Sequence, residues 1–123
     1  MVMTAREVAE RYVDLVNAGA LEQIVDLYAD DGEVLPPNPA YEPVIRGREA
    51  LAAHYRRSVG VRVPRIQITH LYEAGRTCVI ELESQTADES TPWGIVDIFT
   101  VDDSGLITRM AAYRRPLGIL AKG

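Results

Sequence analysis

The sequence predicts an α+β fold in which N-terminal helices pack against a curved antiparallel sheet that wraps around them as a cone. Apolar residues recur at helical spacing in the first half of the chain and alternate as in strands in the second half. A turn signal at Asp102-Asp103-Ser104-Gly105 then predicts a hairpin between the last two strands. Helices followed by a strand meander are typical of an α+β layer fold, and the open end of such a cone is a common ligand site.

The length and charge of the chain narrow the class of protein. Its 123 residues fit one domain, 1–123, and 47% hydrophobic residues are enough for a core. The net charge is −5 and the 13 basic residues are scattered, which argues against nucleic acid or an anionic membrane as the main partner. No apolar stretch is long enough to span a bilayer, no signal peptide is visible, and Cys78 has no second cysteine to pair with. We therefore expect a cytoplasmic protein.

Three helices are predicted in the first half. Thr4 and Glu7 have the spacing of a capping box, and Gly19 suits the end of the helix that follows them. A second, short helix is predicted from Leu21 to Tyr28, where Asp30-Asp31-Gly32 breaks it. A third is predicted from Gly47 to Tyr55.

The remaining segments predict strands. A brief strand covers 33–35, and four longer ones cover 66–72, 77–85, 93–101 and 106–115. In the segment 77–85, Cys78, Ile80, Leu82 and Ser84 fall on one face and Glu81, Glu83 and Gln85 on the other, as expected of a half-buried strand.

Asp97 is the most informative polar residue. It lies in the apolar segment Ile95–Phe99 and shares a face with both of these residues at a period of two. On the concave face of the sheet its carboxyl would be buried, burial would raise its pKa, and the neutral acid could donate a hydrogen bond to a developing oxyanion. The alternative is that the strand faces the other way and Asp97 is a solvated charge.

Three tyrosines, Tyr12, Tyr28 and Tyr55, fall on the apolar faces of the three predicted helices. Each alone is typical of a core tyrosine. Buried together, their hydroxyls would need partners and could bond to one another. The two histidines, His54 and His70, lack a third ligand at metal spacing, so neither a metal nor a cofactor is expected.

Nearly the whole chain resembles bacterial ketosteroid isomerase. The stretches that carry the resemblance are Thr4-Ala5-Arg6-Glu7-Val8, Tyr28-Ala29-Asp30-Asp31, Gly47-Arg48-Glu49, Val96-Asp97 and Ala112-Tyr113. The wider family is the nuclear transport factor 2-like superfamily, which includes SnoaL-type polyketide cyclases. The resemblance implies the cone-shaped α+β fold, a small hydrophobic ligand in the cone and a homodimer packed through the sheet.

The resemblance also implies roles for individual residues. Tyr12 and Asp97 match the pair that forms the oxyanion hole, with Asp97 as a protonated donor. Tyr28 and Tyr55 match the tyrosines that hydrogen-bond behind the first. The positions expected to contact substrate are Ile80, Leu82, Trp93, Ile95, Phe99, Met110, Ala112 and Arg114.

The chain departs from the isomerase pattern at the general base, which in that family is an aspartate in the loop before the third helix. Counted back from Gly47, this position is Asn38, in the Pro-rich loop 36–39; counted forward from Asp30-Asp31 it is Pro36. Neither is a carboxylate, and an amide has essentially no basicity at neutral pH. Nearby Glu33 and Glu42 are expected to be surface charges.

Arg114 is a second departure, since the isomerase pattern has tryptophan there. It could receive a carboxylate or phosphate at the mouth of the cone, or simply reach solvent. Three classes of function remain open. They are an enzyme that stabilises an enolate, as an isomerase or a SnoaL-type cyclase or dehydratase; a non-catalytic binding protein; and a dimeric adaptor with a filled cone.

Overall fold

The computed structural model describes residues 2–37, 43–87 and 92–117. These ranges contain three α-helices, one π-helical segment and six strands. They are α1 Ala5–Ala18, α2 Leu21–Asp26, β1 Tyr28–Leu35, β2 Ile45–Arg46, α3 Arg48–Tyr55, the π-helical segment Arg56–Val61, β3 Arg65–Ala74, β4 Thr77–Gln85, β5 Trp93–Val101 and β6 Ile107–Pro116.

The six strands form one curved sheet in the order β2-β1-β6-β5-β4-β3. Strands β3 to β6 are an antiparallel meander, as predicted. The sheet is mixed rather than wholly antiparallel, because β1 pairs with β6 in parallel. Most of the chain lies between these two strands, and a parallel pair requires a crossover connection of this kind. The α+β fold class is confirmed, with the helices on the concave face.

Helix α1 begins and ends where the sequence predicts. Thr4 Oγ1 accepts a hydrogen bond from the Glu7 backbone N–H at 3.1 Å, and the Thr4 N–H donates to Glu7 Oε1 at 2.9 Å. This reciprocal pair satisfies two backbone donors at the start of the helix. Gly19 ends the helix in the left-handed conformation with φ 67°. The buried face of α1 carries Tyr12 towards the sheet.

The prediction that Tyr28 belongs to the second helix is wrong. Helix α2 ends at Asp26, and Tyr28 is the first residue of β1. The segment predicted to break the helix is an irregular part of this strand, where the register with β6 shifts between Tyr28 and Glu33. Gly32 lies in this bulge, and a Cβ there would stand 2.7 Å from the Ile107 carbonyl oxygen. Glycine therefore permits the close approach of β1 to β6.

Helix α3 and strands β3 to β6 agree with the predicted bounds to within one or two residues. The predicted strand 33–35 is the end of β1, which begins five residues earlier at Tyr28, and β2 lies in a segment that was not predicted as a strand. Strands β4 and β5 have the predicted bounds, and buried and less buried residues alternate along them. Helix α3 continues directly into the π-helical segment 56–61, which the sequence does not predict. Among the described helices, none combines the length and apolarity needed to cross a membrane.

The core lies between the helices and the concave face of the sheet. The largest side chains that are less than 2% exposed include Tyr55, Phe99, Ile24, Leu51 and Ile80. They fill the narrow part of the cone. A cavity remains at its wide end, between α1, α3 with its π-helical continuation, and strands β4 to β6.

Candidate active site

The cavity has a volume of about 150 Å³, roughly ten times the space that one water requires. Tyr12 and Asp97 both line it, and so do most of the residues predicted to contact substrate. These are Leu82, Trp93, Ile95, Met110, Ala112 and Arg114. Ile80 and Phe99 do not reach the cavity; both are fully buried in the core behind its wall.

Asp97 lies in the middle of the sheet on its concave face. Its cross-strand neighbours are Ile80 on β4 and Ala112 on β6. The residue is only 5% exposed, so the alternative of a solvated charge is wrong. Burial raises the pKa of its carboxyl from 3.8 to about 7, because an apolar surrounding disfavours the charged form. No hydrogen bond joins the carboxyl to another described residue, which keeps it available to a ligand.

Tyr12, Tyr55 and Tyr28 form a chain of hydrogen bonds behind the cavity. The Tyr55 hydroxyl donates to the Tyr12 oxygen at 3.2 Å, and the hydroxyl oxygens of Tyr28 and Tyr55 lie 2.5 Å apart. Because Tyr55 uses its single proton on Tyr12, Tyr28 must be the donor to Tyr55. The Tyr12 proton is then left for the cavity. The ring of Tyr12 also packs edge-on against Phe99, with centroids 5.1 Å apart.

Both groups that face the cavity from this end are neutral acids near neutral pH. Burial raises the pKa of Tyr12 well above its ordinary value, and the nearby Asp97 carboxyl raises it further. The Asp97 acid keeps its proton until the pH approaches about 7. Below that pH, two O–H donors line the same cavity.

Several polar residues of the cavity wall were not predicted from the sequence, namely His54, Ser58, Arg62, Ser84 and Thr86. His54 was considered only as a metal ligand. The first three lie at intervals of four residues, the spacing of one helical face, so a third helix extended past Tyr55 would have placed them together. Ser84 shares the predicted inner face of β4.

His54 is the imidazole of the site. It is 6% exposed and its ring lies 5.0 Å from that of Tyr55, centroid to centroid. Burial, and to a smaller extent the positive charge of Arg57, lower its pKa from 6.5 to about 4. His54 is therefore a neutral ring at neutral pH, able to accept a proton.

Arg114 lines the cavity near its mouth. Its guanidinium carbon lies 4.5 Å from the centroid of the Trp93 ring, and the side chain is half-buried. Glu33 is paired with Arg46 and does not line the cavity. Asn38 and Glu42 lie outside the described residues, so the base position remains a prediction.

The cone-shaped fold and its cavity define a class of protein. A comparison of the chain with models of protein families identifies this class. A model of the SnoaL-like domain matches residues 9–110. The chain therefore belongs to the SnoaL-like family of the nuclear transport factor 2-like superfamily.

Particular relatives lie within this class. A steroid Delta-isomerase from Nocardioides simplex is 28% identical over 107 residues, which cover 86% of this chain and 85% of the relative. The solved structure of the epoxide hydrolase/cyclase-like enzyme SalBIII, which takes part in pyran ring formation in the polyether salinomycin, superposes with a TM-score of 0.78 at 22% identity over 90% of each chain. A proposed ketosteroid isomerase from Kribbella flavida gives a TM-score of 0.75 at 22% identity, over 90% of this chain and 77% of that one. At this identity the two structures support the fold alone.

Proposed function

We propose that this protein is a ketosteroid isomerase-like enzyme that stabilises an enolate of a small hydrophobic carbonyl compound, such as a steroid, a terpenoid or a polyketide. One observation carries the proposal: Tyr12 and Asp97, both buried and both protonated below about pH 7, face the same largely apolar cavity. Two neutral donors at one end of an apolar pocket are the arrangement that a developing oxyanion requires.

The reaction would begin with the carbonyl oxygen bound by the Tyr12 and Asp97 hydroxyl groups. When a proton leaves the carbon next to the carbonyl, negative charge moves to this oxygen and both hydrogen bonds strengthen. Return of the proton at the far end of the conjugated system completes the isomerisation. Each such donor contributes about 10²- to 10³-fold to the rate in comparable sites.

The proton acceptor is where the proposal departs from the isomerase pattern. Asn38 stands at the position of the usual aspartate and has no useful basicity. Apart from Asp97, which the proposal uses as a donor, His54 is the group on the described cavity wall that can accept a proton, and its pKa is about 4. A base this weak suits a substrate whose C–H bond is already acidic, such as one flanked by two carbonyl groups.

A conjugation assay tests this proposal. A β,γ-unsaturated ketosteroid is converted to the conjugated enone, which is followed by its ultraviolet absorbance. We expect slow turnover by the wild-type protein and a gain of about 10²-fold or more in Asn38→Asp, since a positioned general base contributes about 10² to 10⁴. Asn38→Leu, which removes the amide without adding a carboxylate, is the matched control and should show no gain.

The same assay separates the enzyme from a non-catalytic binding protein. A phenolic steroid that binds to the wild type, with no turnover in either the wild type or Asn38→Asp, would support the binding protein. The open cavity disfavours the adaptor, which needs no ligand space.

A ring-closing reaction is a second candidate, favoured by the single carboxyl group on the described part of the cavity wall. Asp97 is that group, and it is protonated. A neutral acid can give its proton to an epoxide or carbonyl oxygen while a hydroxyl of the same substrate attacks, and His54 on the cavity wall can accept the proton that this hydroxyl releases. Such a cyclase needs no base at residue 38, so its rate should not depend on that residue.

We also propose that two copies pair through the outer face of the sheet, as the resemblance implies. Val96 pairs there with Glu81 and Tyr113, and Tyr113 is 58% exposed. Ile98 and its partner Val79 form the next row of this face and are only partly buried. An apolar strip of this kind at the centre of a sheet suits an isologous contact.

Sedimentation velocity tests the pairing. The wild type should sediment as a dimer at micromolar concentration, and Val96→Asp as a monomer, because the added carboxylate lies opposite Glu81 and a buried pair of like charges opposes the contact. Gln23→Lys, on the exposed surface of α2, is the control and should remain dimeric. A monomeric wild type would contradict the proposal.

A further inference from the structure

Arg114 is a charged residue on a part of the cavity wall whose neighbouring side chains are apolar. On the inner face of the sheet its row consists of Leu82, Ile95 and Arg114, in cross-strand register on β4, β5 and β6. Two of these three side chains are aliphatic. In the described part of the chain, no carboxylate forms an ion pair with Arg114. A half-buried cation on an apolar wall is energetically costly unless an anion pairs with it. We therefore expect an anionic group of a ligand to bind beside Arg114.

The guanidinium group of Arg114 packs against an aromatic ring rather than extending freely into solvent. It lies over the ring of Trp93, 4.5 Å from the centroid, within the range of a cation–π contact. Such a contact fixes the position of the charge but does not neutralise it. The N–H groups of the guanidinium therefore remain available to a planar, bidentate acceptor.

The cation and the two acids lie at opposite ends of the cavity. Trp93 is four residues from Asp97 on β5, which corresponds to roughly 13 Å along the strand. Asp97 lies at the deep end, where Phe99 and Ile80 close the core behind it. Trp93, and the guanidinium above it, lie towards the mouth. A ligand that reaches both groups must be rigid and about as long as two or three fused rings.

The charges of the cavity wall favour an anion although the whole chain has a net charge of −5. The titratable side chains among its described residues are Tyr12, Tyr55, His54, Arg62, Asp97 and Arg114. The tyrosines and His54 are neutral at neutral pH, and Asp97 stays protonated up to about pH 7. The two arginines are the fixed charges, so an anionic group is drawn towards the mouth.

We propose that Arg114 binds a carboxylate at the end of the substrate remote from its carbonyl group, so that the natural substrate is an oxo acid rather than a neutral ketone. A single guanidinium binds a carboxylate bidentately and balances its one negative charge, whereas a phosphate monoester carries up to two negative charges near neutral pH. The inference rests on the proposed function, because it assumes that the carbonyl oxygen lies between Tyr12 and Asp97. It adds the class of substrate.

Binding of two matched phenols tests the inference without any turnover. 4′-Hydroxybiphenyl-4-carboxylate places a phenol at one end and a carboxylate at the other; its primary amide has the same shape and no charge. We expect calorimetry to show that the wild type binds the acid about 10- to 100-fold more tightly than the amide, as for a hydrogen bond to a charged group. In Arg114→Met the two affinities should become equal, with that of the amide little changed.

Two further variants serve as controls for the Arg114→Met measurement. Arg115→Met removes the next arginine of β6, which is exposed on the opposite face of the sheet, and should keep the preference for the acid. Arg114→Lys should keep part of the preference, because the charge remains and the bidentate geometry is lost. The unfolding midpoint of each variant verifies its fold.

Several outcomes would overturn the inference. They are equal binding of acid and amide by the wild type, retention of the preference in Arg114→Met, and failure of the wild type to bind either probe. Failure of the proposed function has a different signature. The preference for the acid would then depend on Arg114 while no enone or enolate chemistry is detected.

Discussion

Loss of both donors, in Tyr12→Phe/Asp97→Leu, should lower kcat by about 10⁴-fold, because each donor stabilises the transition state by about 3 kcal/mol. The two residues share one ligand atom, so the effect of the double variant should be smaller than the product of the single effects. KM should change much less than kcat, since the hydrogen bonds strengthen only as negative charge develops on the oxygen.

The single variants indicate which donor contributes more. Tyr12→Phe removes one hydroxyl and leaves the ring, its packing against Phe99 and most of the cavity shape intact. We expect a loss of about 10²- to 10³-fold in kcat for this variant and a similar loss for Asp97→Asn. Tyr28→Phe breaks the chain at its far end, two hydrogen bonds from the cavity, and should cost about tenfold or less.

Tyr113→Phe is the matched control for these measurements. Its hydroxyl lies on the exposed face of β6, so kcat should stay within a factor of two of the wild type. Steady-state kinetics of the conjugation assay measures the wild type and all five variants. If the double variant keeps a tenth or more of the wild-type kcat, the chemistry does not occur at this pair of acids.

The strands of the cavity wall were predictable because their sequences alternate. Along β4 and β5 the period of two assigns the side chains to two faces, and on β4 local composition also indicates which face is buried. Depth along the strand is not encoded in this pattern. Ile80 and Phe99 share the face of the cavity yet lie in the core beneath it, because the helices fill the narrow end of the cone there.

Tyr28 illustrates a limit of helical periodicity. Its spacing from Leu21, Ile24 and Val25 continues the pattern of one helix face. The backbone leaves the helix at Leu27 because β6, about eighty residues further along the chain, offers hydrogen bonds to β1. A long-range pairing of this kind has no local signal. The tyrosine still joins the hydrogen-bonded chain, since its hydroxyl reaches Tyr55 from the strand.

The candidate site was predicted where the resemblance supplied a position, and missed where it did not. Asp97 could have faced either side of its strand on local sequence alone, and the resemblance indicated the correct side. His54 and Ser58 had no counterpart among the residues considered. Their helix continues as a π-helical segment whose extra residue per turn blurs the helical spacing.

Stability should respond to pH in opposite directions at Asp97 and at His54. In the unfolded chain the Asp97 carboxyl ionises above 3.8, but the native protein holds its proton up to about 7. The unfolded state therefore binds fewer protons than the native state in this range. As a result, the free energy of unfolding falls by about 4 kcal/mol as the pH rises from 3.8 to about 7. His54 takes up a proton below 6.5 when unfolded and only below about 4 when native. His54 therefore lowers the free energy of unfolding by about 3 kcal/mol as the pH falls from 6.5 to 4.

These two contributions largely cancel in the wild type between pH 4 and 6.5, and single substitutions should expose each of them. With Asp97→Asn the His54 term remains, so the free energy of unfolding should rise with pH across this window. With His54→Phe the Asp97 term remains, so it should fall. Urea unfolding between about pH 4 and pH 8 measures both slopes. Asp14→Asn, which alters an exposed carboxyl on α1, should follow the wild-type profile.

The test bears on function because it measures the property that the oxyanion site requires. At pH 8 Asp97→Asn should be more stable than the wild type by about 4 kcal/mol, since the native protein no longer carries a desolvated carboxylate. Equal stability of the two proteins at pH 8 would mean that the carboxyl is solvated. Asp97 would then be ionised at neutral pH and would repel an enolate rather than bind it. A higher stability in Asp97→Asn, together with a lower kcat, would show that the Asp97 carboxyl lowers the stability of the native protein but is required for activity.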